Sequence, residues 1–358
     1  MSWSRGRVKV ADFGVAKAVG EKADLNRTVT VVGNPANIVT TLIYQILLED
    51  PLANPPVSTA LGEKVTAFLR RYLEKAPERR IPDEASFAAG ARAGQFVRVL
   101  PWDKGELIPL TLADWDEKAG TITIVIQAMG TSSIAINAMK VGEALAGIAG
   151  PLGLPSELHH FDANQTVVFT AGGVGLPPVY PIMREHLRLG NHVTLISGFR
   201  NADLLFWTKE DERVGRMQAE FPEHLAVIYT SNDGSFGIKG FVTDPLATLL
   251  QQNQKGEGRK IGEVVTIGPP LMMRAVSDLT RSYGVKTVAS LNSIMVDATG
   301  MCGACMVPVN VEGKLVRKHA CIDGPEIDAH SIDWDKFLPR FGQFKKQEQE
   351  SKVRRGFA

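Results

Sequence analysis

The chain has 358 residues, 44% hydrophobic and 22% charged, with 40 basic against 39 acidic side chains. That length supports two or three domains with cores of their own, and nothing in the near balance of charge suggests nucleic acid or an anionic membrane surface as the main partner. No apolar run approaches the roughly 18 residues of a membrane span, and the opening residues MSWSRGRVKV lack the apolar core of a signal peptide, so a cytoplasmic protein is expected.

In chain order, the first expected domain covers residues 1–157. GQFVRVLP, GELIPLTLADWD, GTITIVIQAM and VGEALAGIAGP are short strand-like runs broken by Gly, Pro and Asp, the texture of an antiparallel barrel. Ahead of GQF, NPANIVTTLIYQILLED and GEKVTAFLRRYLEKAPERR repeat apolar residues at helical spacing. They predict a mostly helical insertion over about residues 20–92, read as a packing or partner surface. Within the barrel, IPLTLAD (108–114) and QAMGTSSIAINAM (127–139) are expected side by side. Gly130, Thr131, Ser132 and Ser133 open a helix whose free N–H groups and three hydroxyls suit a diphosphate. An ordinary N-capped helix has the same pattern.

Residues 158–288 read as a nucleotide-binding domain. A β-branched run, Thr166 to Thr170, leads into Gly172, Gly173 and Gly175. A helix follows with Val179, Ile182, Met183 and Leu187 on one face, Pro177 and Pro178 in its first turn and Gly190 just past its end. The strand-like run from His192 to Phe199 completes a βαβ unit and implies a parallel sheet. EHLAVIYTS and IGEVVTIGPP read as further strands, and LMMRAVSDLTRSYG as a helix. Gly268 and Pro269 end the later strand at the carboxyl edge, where the glycine turn also lies and where ligands of such sheets bind. Arg200 stands past the second strand in place of an acidic ribose-binding residue. It would meet a 2′-phosphate or be a plain surface arginine, so NAD and NADP both remain open.

The chain's three cysteines crowd into residues 289–340. Asp297, Cys302, Cys305 and Cys321 give Asp-x4-Cys-x2-Cys-x15-Cys. The plant-type [2Fe–2S] loop has Cys-x4-Cys-x2-Cys and a distant fourth Cys, so a carboxylate here takes the first thiolate's place. Gly300 and Gly303 let such a loop curl around an inorganic core. A zinc site using His319 or Asp297 beside the thiols is the chemical rival, and an Asp before a turn is often only a turn cap. Residues 341–358, rich in charge, are expected to be extended or docked on a partner.

GQFVRV, IPLTLAD, TAGGVGLPPVYPI, DGSFGIKGFVTD, IGPPLMM, SIMVDATGMCGACMVPV and CIDGPEIDAHSIDWD resemble the ferredoxin–NADP reductase superfamily over about residues 95–340. Within it the chain is most similar to the small subunits of NADH-dependent ferredoxin:NADP oxidoreductase and sulfide dehydrogenase, and more distantly to the electron-transfer subunit of dihydroorotate dehydrogenase. The resemblance implies an α+β multidomain chain comprising an antiparallel FAD-binding barrel, an α/β nucleotide-binding domain with a parallel sheet and a C-terminal [2Fe–2S] module. It places FAD along Pro109, Leu110, Thr111 and Gly130–Ser133, and NAD(H), ahead of NADP(H), along Gly172, Gly173, Gly175, Arg200, Gly268 and Pro269. It makes Asp297 a cluster ligand with the three cysteines, shielded by Met301, Ala304 and Met306. The dihydroorotate branch carries four cysteines, so this pattern points away from it.

The implied activity is that of an electron-transfer flavoprotein subunit without an acid–base triad. Its expected partner is a larger flavoprotein related to the small subunit of glutamate synthase, with ferredoxin reached indirectly through bifurcation. A sulfide or polysulfide reductase and a flavin-less, zinc-stabilised scaffolding module are the alternatives. Two departures stand out. Leu107 and Ile108 occupy the place of an arginine that holds the FAD phosphate, and the insertion lies where relatives run directly to GQF.

Overall fold

The computed structural model describes residues 8–11, 26–32, 88, 90–103 and 105–357. The first sheet contains β1 (Val8–Ala11), β2 (Asn26–Val32), β3 (Phe96–Leu100), β4 (Ile108–Asp116), β5 (Thr121–Gln127), β6 (Ala144–Leu145) and β7 (Gly147–Leu152). Its order is β6-β1-β2-β5-β4-β3-β7, antiparallel throughout. Alternation decides which side chains enter its core. Val97 and Val99 of β3 join Leu112, Ile122, Ile124, Ile126 and Ile148 there, while Phe96 faces the other way. Each such aliphatic side chain contributes roughly 1.5–3 kcal/mol on burial. A short helix, α1 (Thr131–Asn137), packs on β5.

One expectation for this part is corrected. The segment 20–92 was expected to be mostly helical, yet Asn26–Val32 is a strand paired with β5 along its whole length. NRTVTVV alternates polar and β-branched residues, a period-two signal that competes with the helical pattern further on. Residues 33–87 of the expected insertion lie outside the described residues.

The second sheet is built from β8 (Gln165–Gly172), α2 (Leu176–Arg188), β9 (His192–Phe199), α3 (Arg213–Glu220), β10 (Leu225–Ser231), β11 (Ile238–Lys239), α4 (Thr243–Gln254), β12 (Lys260–Ile267), α5 (Pro270–Ser282) and β13 (Thr287–Ser290). The strand order is β11-β10-β9-β8-β12-β13, all parallel, with antiparallel β16 (Glu326–Asp328) at the edge. Pro177 and Pro178 sit in the first turn of α2, where a missing N–H costs nothing. Gly190, at φ +82°, ends its run. Val179, Ile182, Met183 and Leu187 form its buried face, as the spacing requires.

The boundary expected at residue 288 falls inside β13, and β16 from the cysteine segment adds to the same sheet. A hairpin of β14 (Met306–Val311) and β15 (Lys314–His319) follows the cysteine loop and turns at Glu312 and Gly313, both at positive φ. A shared core of Phe96, Met273, Leu291, Cys305, Cys321, Trp334 and Phe337 joins the segment to both sheets, so residues 289–340 are not a detached module. The tail is also corrected: α7 (Lys345–Arg354), which follows the single-turn α6 (Trp334–Phe337), is helical and lies on the chain itself. Thr131 Oγ1 donates to Ser351 Oγ at 2.9 Å, and the Arg355 guanidinium stands 4.1 Å over Trp102. Among the described residues no helix is long and apolar enough to cross a membrane.

Asp114 of β4 clasps the two sheets together. It accepts from Arg184 of α2 at 2.5 Å and from Arg213 of α3. Arg184 also stands 5.0 Å over the Trp115 ring and Arg213 4.9 Å over Trp207, and all three charged side chains are mostly buried. Removing the carboxylate leaves two guanidiniums facing each other in a low-dielectric seam. Asp114→Ala is expected to lower stability by about 2 kcal/mol in denaturant titrations, and Arg184→Ala by less, because Arg213 keeps its partner. Equal stability of Asp114→Ala and the parent would show that the clasp does not hold the sheets.

Glu326 gives a pH signature. Its Oε1 accepts from Ser156 Oγ at 2.6 Å, and burial, with Glu263 and Glu157 nearby, pushes its carboxyl up from 4.5 to about 7. The fold therefore favours the protonated form, and this contribution is complete below pH 4.5 and lost as pH rises through 7. Between those limits the parent should lose about 2 kcal/mol of stability relative to Glu326→Gln. Unfolding measured at both pH values checks this, and parallel profiles would clear Glu326 as the cause.

Candidate functional site

The loop before β14 curls through three left-handed positions, Ala298, Gly300 and Gly303. A Cβ on Gly300 would lie 2.5 Å from Ile322 Cδ1, so the loop packs closely on the turn after Cys321. Asp297 caps its own loop, accepting from Thr299 N–H and Cys302 N–H, each at 2.9 Å. Burial alone would raise its carboxyl, but these donors hold it below the usual carboxylate range. The turn-cap reading of Asp297 is thus physically present, and it places the carboxylate beside Cys302. Ala304 N–H approaches Cys302 Sγ at 3.4 Å. Cys305 and Cys321 lie beneath, each 2% exposed, with sulfurs 3.1 Å apart. Burial and the neighbouring Cys305 push the Cys321 thiol up to about 12, so thiolate there requires a cation to displace the proton.

Among the described residues no three His, Cys, Asp or Glu side chains enclose a point where one metal ion would sit. The four donors come instead as two pairs, Asp297 with Cys302 at the surface and Cys305 with Cys321 below. Two adjacent pairs of potential anions, bordered by turned-in N–H groups, fit a two-iron cluster. Met301, expected to shield this place, is 75% exposed on the turn that follows left-handed Gly300. Ala304 and Met306 are half-buried.

Sequence reasoning missed Arg98. It is 4% exposed on β3 and donates to the carbonyls of Asp297, at 2.8 Å, and Val296, and more weakly to Leu107 at 3.5 Å. Its Nε is buried without a partner. Burial lowers the affinity of this guanidinium for its proton, while Asp297, Cys302 and Cys321 raise it. The signal was a lone charge at an outward-alternating position of the apolar run FVRVL.

The glycine turns of the parallel sheet converge. Strand order reverses direction beside β8, so the ends of β8 and β12 border the cleft where such sheets bind ligands. A Cβ on Gly175 would meet Ile267 O at 2.1 Å, one on Gly268 would meet Gly172 N at 3.0 Å, and one on Gly172 would meet Pro269 Cδ at 2.8 Å. These three are glycines because the two turns touch. Gly173 differs: its φ is +53° and its missing side chain would face open space, a cradle that a Cβ would fill. Arg200 is exposed just past β9. Leu271 and Phe241, 71% and 62% exposed, border the same edge and were not singled out from sequence. A cavity of about 230 Å³ lies elsewhere, at the amino ends of β8 and β9 among Thr166, His192, His224 and Arg259. It coincides with none of the expected residues.

On the antiparallel sheet, Pro109, Leu110 and Thr111 are all half-buried, an uncovered strip directly opposite Arg98, Val97 and Phe96 in register. The three hydroxyls expected to cradle a diphosphate are not free. Ser133 Oγ accepts from Met129 and Gly130 N–H, Thr131 bonds Ser351, and Ser132 is buried. Glu348 of α7 stands beside Gly130. What this turn offers is its first backbone amides.

Comparison with known proteins follows the same division. The family described as the iron-sulfur cluster binding domain of dihydroorotate dehydrogenase B matches residues 292–333, and the oxidoreductase NAD-binding domain matches residues 169–278. A chain from Thermotoga maritima, described as a homologue of the dihydroorotate dehydrogenase B (NAD(+)) electron transfer subunit, is 38% identical over 74% of this chain and 86% of its own length. A Listeria innocua electron transfer subunit of dihydroorotate dehydrogenase B is 28% identical over 67% and 86%. A solved structure of the NADH-dependent reduced ferredoxin–NADP oxidoreductase, reported for its insight into flavin-based electron bifurcation, superposes with TM-score 0.65 at 36% identity, covering 75% of this chain and 90% of that one. The chain belongs to the family of electron-transfer oxidoreductase subunits that includes the dihydroorotate dehydrogenase B subunits and their Thermotoga maritima homologue, with one NAD-binding domain and one iron–sulfur domain.

Proposed function

We propose that this subunit carries electrons between NAD(H) and a larger partner flavoprotein by way of FAD and a [2Fe–2S] cluster. The observation that carries the reading is the pairing of Asp297 with Cys302 and of Cys305 with Cys321 on a loop packed against both sheets. Asp297 and Cys302 would hold one iron, and Cys305 and Cys321 the other. Water is kept from the inner pair by burial, and Ala304 N–H lends Cys302 a donor.

FAD, when bound, would take a hydride equivalent from the nicotinamide and release its electrons singly, matching a centre that changes by one electron at a time. The antiparallel sheet, closed as a barrel, would hold it. Pro109 and Leu110 offer the uncovered strip, the Thr111 hydroxyl a polar partner for the ring, and the turn at Gly130, through the amides of Thr131, Ser132 and Ser133, a place for the diphosphate. The nucleotide would lie along Gly172, Gly173 and Gly175 at the start of α2, with Gly268 and Pro269 as the facing wall. Arg200 would contribute an exposed charge there, and NAD(H) is the preferred nucleotide over NADP(H). No side chain is assigned an acid–base role, because the chain's part is alignment and charge.

Val296, Met301 and Ile322, 58%, 75% and 46% exposed, stand on the loop that carries exposed Cys302 and on the turn packed against it. An apolar rim at an electron exit suits a docked protein, here a larger flavoprotein related to the small subunit of glutamate synthase. The pair would couple NAD(H) and NADP(H) to ferredoxin by bifurcation. Three unpaired thiols suit a reducing compartment, the cytoplasm.

Anaerobic purification is expected to yield about two irons and two acid-labile sulfides per chain together with flavin. Cys305→Ser should lose most of the cluster's visible absorbance while keeping the flavin's. A parent chain containing neither iron nor sulfide sinks the proposal. For the coupled activity, the complex should reduce NADP in the presence of NADH several-fold faster with reduced ferredoxin than without it. Equal rates would remove bifurcation and leave simple transfer.

A further inference from the structure

We propose that Arg98 is a positioning residue of the iron–sulfur site: its buried guanidinium holds the ligand loop by the Val296 and Asp297 carbonyls and sets a fixed positive charge beside the ligands, favouring the reduced cluster. The inference rests on the iron–sulfur reading above.

Three observations carry it. First, the side chain is 4% exposed, and among the described residues it forms no ion pair. A guanidinium desolvated without a counter-ion costs several kcal/mol, and arginine does not escape that cost by losing its proton. Second, the partners it has are main-chain oxygens, two of them in the ligand loop, and its Nε finds no acceptor at all. The Asp297 carboxylate is not that acceptor; its two oxygens accept from Thr299 and Cys302 N–H instead. Third, both loop carbonyls that Arg98 holds belong to the segment that carries Asp297 and leads into Cys302, so the ligand set is where opposite charge would come from. The missing counter-charge is therefore supplied when the ligands ionise around metal.

The direction of the effect follows from charge. Three thiolates and a carboxylate bring four negative charges to the site, and each added electron brings another. A fixed cation in a low-dielectric surrounding stabilises the more negative state more. The same side chain stands opposite Pro109 in register and touches the Leu107 carbonyl at 3.5 Å. One residue thus ties the ligand loop to the strand pair that carries the uncovered strip, so the loop's position and its charge environment are set together. Arg340 makes a natural comparison. It donates to Ala304 O at 3.0 Å and is only half-buried, so water screens its charge more than that of Arg98.

The test uses the full chain, purified anaerobically with whatever accompanies it, and compares parent, Arg98→Lys, Arg98→Met and Arg340→Gln. Iron and sulfide content, the paramagnetic resonance spectrum of the reduced cluster and its reduced-to-oxidised ratio at the parent midpoint are read. Arg98→Met should lower that ratio about tenfold and Arg340→Gln less than twofold. Arg98→Lys, which keeps the charge but cannot fork between two carbonyls, should stay within about threefold and lose iron to a chelator faster than the parent. A fully loaded Arg98→Met with the parent's ratio overturns the inference, as does an equal shift in Arg340→Gln. If Arg98→Met does not fold, Arg98→Lys decides, and parental chelator resistance in it overturns the inference. A parent chain without iron and sulfide instead removes the reading on which the inference rests.

Discussion

Asp114 stands on the antiparallel sheet and meets guanidiniums from two helices of the parallel sheet, so one carboxylate in a seam of aromatic rings fixes the relation between the sheets together with the apolar packing of Ala113 and Trp115 beside it. Electron transfer between groups carried on different sheets needs that relation to be rigid. A charge held by two partners and flanked by Trp115 and Trp207 resists both sliding and opening, because either motion exposes a desolvated ion. The uncovered strip on β4 and the glycine edge of β8 belong to elements locked through this seam.

The cysteine segment is fastened by different means. Its core of Phe96, Met273, Leu291, Cys305, Cys321 and Trp334 is drawn from three parts of the chain, and β16 extends the nucleotide sheet. Arg98 from β3 and Arg340 from the segment after α6 both reach the loop's carbonyls. Burial on one face and exposure of Cys302, Met301 and Val296 on the other give the site an inside and an outside. Such polarity suits a redox centre that receives electrons from within its own chain and delivers them to another.

Much of this was legible in the residues because the signals were local. Pro177, Pro178 and Gly190 bracket a helix by φ preference alone, and Asp-x4-Cys-x2-Cys is a spacing a single loop can satisfy. The glycines of TAGGVGLPP and TIGPP marked strand ends correctly, but that Gly175 packs on Ile267 is a contact between turns nearly a hundred residues apart. The tail shows the opposite case. Lys345 to Arg354 carries alternating charges that composition assigns to solvent, yet Ser351 and Arg355 find Thr131 and Trp102 on the same chain. Asn26–Val32 was drawn into a helical expectation because the longer periodic segment after it outweighed seven alternating residues.

By itself the sequence determined the kind of chemistry: which side chains can ligate iron, which turns can approach a phosphate, and which runs become strands, since these depend on covalent identity and short spacing. Tertiary structure alone decided that Thr131 and Ser133 are already engaged, that Met301 points outward, that the cysteine segment shares both sheets' cores and that Arg98 lies under the ligand loop. Charge and hydrogen-bond partners are properties of distance in space. Residues 98 and 297 become neighbours only when two sheets and a loop have packed.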